Sequence, residues 1–136
     1  VEPVVRRPPG RFVMAGFTMA TRRLILERDG AACVLCGKPY RPAFDSIHHR
    51  QARGMGGSKD PATNGAANGI VLCGSGTTGH HGWVESHRAE ALALGLLVSR
   101  HGRQRPDEVP VSFDGGRTWI YLADDGSRLT TERKAS

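Results

Sequence analysis

Cys33-Val-Leu-Cys36 puts two thiols on one turn, and Cys73 followed by His80-His81 supplies further ligand atoms later in the chain. That pattern constrains the fold more than any other feature, because this chain has little else to hold it together. Aromatic residues make up 6% of the 136 residues, and 18 glycines and 8 prolines leave room for only a small apolar core. Small cores need a staple. Three cysteines cannot all pair and no secretory leader is visible, so thiolates on a metal in a reducing cytoplasm are expected over a disulfide framework. The C-x2-C spacing lets both sulfurs face one point. With Cys73 third and His80 fourth, it predicts a closed, tetrahedral Cys3His structural zinc. The run Gly-Ser-Gly-Thr-Thr-Gly over 74–79 is flexible enough to fold back around such an ion. The alternatives are free thiols or a redox dithiol, and the latter wants a thioredoxin-like βαβ pattern that is absent.

The formal charge is +6, and 16 of the 19 basic residues are Arg. Guanidinium forks match phosphate geometry, so nucleic acid is the expected partner, against the plainer reading of charge for solubility. No apolar run is long enough to span a membrane.

Residues 1–17 mix Pro, Gly and Arg without period and are expected as an irregular basic arm. From Thr18, TMATRRLILERDG predicts a helix capped by Thr18 or Thr21 and closed by Gly30. Its Arg22, Arg23 and Arg28 are expected on a solvated face. FDSIHH (44–49) and GIVLC (69–73) read as strands around a glycine-rich loop, and from Gly82 the run WVESHRAEALALGLLV reads as a second helix. After a polar linker at 99–107, two Asp/Gly turns between β-prone runs predict a small β-meander. The fold class is therefore α+β, with 18–98 as the functional unit and 99–136 as linker and meander.

Read together, ERDGAACVLCG, IHHR, NGIVLC and HHGW resemble the HNH endonuclease family, whose core is the ββα-metal (His-Me) finger. GSGTTG followed by HGW is similar to the phage-encoded branch. The resemblance covers about residues 20–95 and implies a metal-dependent endonuclease that hydrolyses phosphodiester bonds of double-stranded DNA. In it His48 binds the catalytic metal, His49 is the general base, Asn68 ties the hairpin together and holds the base's loop, and His81 is a further metal ligand. Neighbouring strand residues point to opposite sides, so different roles for His48 and His49 are reasonable. A neutral imidazole, titrating near ~6.5 when unperturbed, can take a proton from water.

Two positions depart from the family. Related sequences often carry a second histidine where this chain has Glu85, which lies one turn beyond His81 and faces the same way. A carboxylate there tilts preference toward Mg²⁺ or Mn²⁺, with Ni²⁺ or Zn²⁺ still open. His80 stands where the phage branch has cysteine, so His80 and His81 could exchange duties; the alignment of His81 with Glu85 favours His81 for the catalytic ion. His87 lies ~240° around a helix from His81 and is expected to pack or face solvent. Arg50, Arg53, Lys59 and Arg88 are the expected phosphate contacts, which position a duplex without reading its bases. The phage likeness implies a cytoplasmic role in genome packaging beside a terminase or another phage protein. The rival reading is a non-catalytic, zinc-stapled DNA-binding module, which would have no need of His49.

Overall fold

The computed structural model describes residues 16–52 and 61–131; the basic arm, apart from Gly16 and Phe17, lies outside them, as do residues 132–136. Among the described residues there are three helices and two small antiparallel sheets. None of these helices is long and apolar enough to cross a membrane.

Helix α1 spans Met19–Arg28, and Thr18 caps it by accepting the Thr21 amide at 3.1 Å. Such a cap satisfies an amide that has no partner inside the helix. Gly30, at φ +68°, turns the chain away at the other end. Strand β1, Ser46–His49, pairs with β2, Gly69–Leu72, with His48 opposite Ile70 and His49 opposite Gly69. Every residue of β2 is buried, because the strand is covered on both faces. Val71 packs with Ile25 of α1, whereas Ile70 and Leu72 enter the main core with Val84, Ala91, Leu96, Val111 and Leu122. Val111 and Leu122 belong to the C-terminal segment, so the meander shares this core. It consists of β3, Ile120–Leu122, paired with β4, Arg128–Thr130, and a bridge from Val111 to Ile120.

The second helix departs from its expected extent. It begins earlier, as α2 at Gly79–Ser86, breaks at His87 and resumes as a short α3 over Arg88–Ala93. His87 leaves helical geometry at φ −122°, ψ 56°, and its ring stacks on Trp83 with centroids 4.9 Å apart. The remaining Leu-rich run turns at Gly95, φ +75°, where an added Cβ would stand 2.0 Å from the Pro110 carbonyl oxygen. Leu96 and Leu97 go into the core, and Val98 bridges Gln51 beside β1. Burial of three consecutive apolar residues overrides their helix propensity.

Arg28 is not on a solvated face either. Its side chain is 1% exposed, bonds Asp29 at 2.8 Å and donates to the Ala66 carbonyl at 2.8 Å. Asp29 in turn accepts the Val71 amide at 3.0 Å. This pair joins the end of α1 to β2.

Candidate metal centres

The first cluster is Cys33, Cys36, Cys73 and His80, four ligand atoms that could hold a metal such as zinc. Gly37, at φ +78°, lets the chain reverse after the first pair, and its amide donates to the Cys33 carbonyl at 2.8 Å. Cys73 directly follows β2. Gly79, at φ +60°, brings the next ligand back over it; a Cβ there would lie 2.5 Å from the Cys73 carbonyl oxygen. The His80 amide donates to the Cys73 sulfur at 3.3 Å.

The spacing of these atoms tests the fit. Tetrahedral zinc with metal–sulfur bonds of ~2.3 Å and metal–nitrogen bonds of ~2.0 Å requires edges of about 3.8 Å between sulfurs and about 3.5 Å between sulfur and nitrogen. The Cys36 and Cys73 sulfurs are 3.8 Å apart, and His80 Nδ1 is 3.7 Å from the Cys33 sulfur and 3.3 Å from that of Cys73. A single ion fits at their centre.

The second cluster is His48, His81 and Glu85. His80 and His81 thus fall in different clusters, with His81 beside Glu85. Hydrogen bonding assigns the tautomers. The Leu96 carbonyl can only accept, so His48 donates from Nε2 at 3.2 Å and Nδ1 carries the lone pair. The Ser46 hydroxyl gives its proton to the Gly74 carbonyl at 2.7 Å. It therefore accepts from His81 Nδ1 at 2.9 Å, and His81 Nε2 carries the lone pair. Those two nitrogens lie 3.8 and 3.7 Å from the same Glu85 oxygen. Two lone pairs and a carboxylate oxygen facing one point could hold a metal ion, with the outer nitrogens hydrogen-bonded as such sites require. Burial, then the neighbouring His81, pushes His48 down to about 3, and burial lowers His81 as well. Both rings are thus neutral near pH 7, the state in which imidazole ligates.

Ser46 is the part of this arrangement that sequence reasoning did not single out. Ser46→Ala is expected to weaken metal binding by about 10- to 100-fold, the usual cost of losing an outer partner. Titration with Mn²⁺ or Co²⁺, followed calorimetrically, would show it, and an unchanged affinity would remove Ser46 from the site.

His49 faces away from this cluster but borders an open cleft that Glu85 also lines. Phe17 stacks on it at 4.0 Å, nearly parallel. The stack is possible because its cross-strand neighbour is Gly69: a Cβ there would meet Phe17 at 2.9 Å and Ile25 at 2.4 Å. His49 Nε2 lies 2.9 Å from Asn64 Oδ1, so Nε2 donates. Asn68 is fully buried and takes the tying role expected of it. It accepts the Gln51 amide at 2.7 Å, and its own amide donates to the Gln51 carbonyl at 3.0 Å and the Thr63 carbonyl at 2.7 Å. The end of β1 is thereby fastened to the turn that carries Asn64. Asn64 sits in an Asn-Gly dipeptide, which on sequence reads as a turn and nothing more.

The expected phosphate contacts fare unevenly. Arg50 must be withdrawn, because it is fully buried and donates to the carbonyls of Gly95, Ala67, Pro106 and Val109 at 2.8–3.0 Å. Its place inside the fold leaves no donor facing solvent. Arg88 is exposed and pairs with Glu85 at 3.0 Å. Arg53 and Lys59 lie outside the described residues. His87 packs on Trp83, as expected.

Compared with known proteins, the chain matches no family model, no curated protein and no solved structure.

Proposed function

We propose that this protein is a metal-dependent endonuclease of the HNH type, with β1, β2 and α2 as its ββα-metal core and double-stranded DNA as its substrate. One observation carries the reading: the lone pairs of His48 and His81 converge on Glu85 at 3.8 and 3.7 Å, beside a cleft that His49 borders. His48, His81 and Glu85 would hold one divalent cation. When bound, that cation supplies charge neutralisation at the phosphoryl oxygens and eases departure of the 3′-oxygen. His49 takes a proton from the attacking water. Asn64 accepts a hydrogen bond from Nε2, and Phe17 fixes the plane of the ring. Asn68 holds the turn that positions Asn64. The products are a 5′-phosphate and a 3′-hydroxyl. The likeness to phage sequences supports work beside a terminase or another phage protein.

Supercoiled-plasmid nicking tests this with Mg²⁺, Mn²⁺, Ni²⁺ and Zn²⁺ in turn. His49→Ala is expected to slow nicking by about 10²-fold or more, the contribution of a positioned general base. Equal cutting by variant and wild type would remove the mechanism. Firm duplex binding with no cutting under any ion would instead favour the zinc-stapled binding module.

A further inference from the structure

The cleft beside His49 has a second wall that neither the motif residues nor the metal clusters account for. It is built from the segment that follows α3, which on sequence reads as a polar linker. That segment is fastened to the site. The Val98 amide donates to the Arg50 carbonyl at 2.8 Å, and the Gln51 side chain donates to the Ser99 carbonyl at 3.0 Å. Val98 and Ser99 therefore lie beside Arg50 and Gln51, which follow His49, and Arg100 and His101 come next in the chain. Arg100 and His101 are exposed and line the cleft, as does Arg88. Among the described residues Glu85 is the one acidic residue of the lining, and Arg88 already pairs with it. The floor is apolar, formed by Leu92, Leu97 and Val98.

We propose that Arg100 and His101, together with Arg88, form a phosphate-binding cleft that grips the DNA backbone next to the bond attacked. The inference rests on the nuclease reading for which bond that is, but the cleft's affinity for a polyanion stands on its own lining. Phosphodiester is the ligand chemistry that fits: two guanidinium groups with an imidazole next to one of them, one carboxylate that is already paired, and, among the described residues, no Phe, Tyr or Trp in the lining on which an unpaired base could stack. The duplex backbone, not a single strand, is the expected occupant. Contacts of this kind set register without reading sequence.

The test is duplex affinity as a function of salt, by fluorescence anisotropy with a short labelled DNA of arbitrary sequence and Ca²⁺ as the only added divalent ion. Arg100→Ala is expected to lower the slope of log K against log salt by about one, and the double variant Arg100→Ala/His101→Ala to weaken binding by about tenfold. Arg100→Lys should recover most of the loss. Arg117→Ala, an exposed arginine of the meander, should bind as wild type does. Both altered positions are exposed, so thermal melts should be unchanged. Wild-type affinity and slope in the double variant, no duplex binding by wild type, or a loss confined to single strands would each overturn the cleft. If instead Arg100→Ala weakens binding while His49→Ala still nicks normally, the cleft survives and the nuclease mechanism fails.

Discussion

Cys33→Ser is expected to leave the chain without a cooperative thermal melt. Structural zinc in small stapled domains contributes an apparent ~10–16 kcal/mol near neutral pH, which is as large as the whole stability of an ordinary domain, ~5–15 kcal/mol. The core here cannot make up such a loss: it is built from short aliphatic side chains on one hairpin, two helices and the meander. Cys33 is itself 3% exposed and packs in that core with Ile70, Leu72 and Val84. Its removal therefore takes away a ligand and leaves a hydroxyl where a sulfur was buried. A strong chelator should reproduce the effect in wild type, with zinc released as ellipticity is lost. A Cys33→Ser protein that melts cooperatively near the wild-type midpoint would show that the cluster is not what holds the fold.

Arg50→Met should destabilise the protein by about 3 kcal/mol. The guanidinium serves four carbonyls, those of Gly95, Ala67, Pro106 and Val109, which come from three parts of the chain far apart in sequence. An unbranched apolar replacement fills the space but leaves the carbonyls of Gly95, Ala67 and Val109 without donors, since only that of Pro106 also accepts a backbone amide, from Val109 at 3.3 Å; each orphaned acceptor costs ~1–3 kcal/mol where water cannot reach. The figure takes the low end for each. Arg50→Lys should recover only part, since one ammonium cannot reach acceptors arranged around a planar fork. Urea unfolding with zinc present measures both variants. If Arg50→Met kept its urea midpoint and lost only affinity for DNA, the side chain would have to act outside the fold after all.

The same residue shows where sequence reading stops. Cys33, Cys36, Cys73 and His80 are legible because their chemistry is narrow: few structures bring three cysteines and a histidine together except around a metal. The split between His80 and His81 is legible too, since a helix places Glu85 one turn beyond His81 and nowhere near His80. The two strands of the hairpin are legible in FDSIHH and GIVLC, but their register is not, because every residue of β2 is buried and shows no alternation. Arg50 has no such signature. An arginine after two histidines in a basic chain suggests phosphate, and its burial depends on carbonyls 17 to 59 residues away. Asn64 and Ser46 are hidden for the same reason: each acts through one hydrogen bond to a ring brought near by the fold. The break at His87 is lost because the Ala- and Leu-rich run after it favours helix and reads as continuous with WVES before it. Only the packing of Leu96 and Leu97 into the core stops the helical run.

A single peptide bond separates His80 from His81, yet the two rings serve different clusters. A metal held by the four-ligand cluster would fix the backbone that aims His81, so emptying that cluster would loosen the hollow between His48 and Glu85 without any competition there.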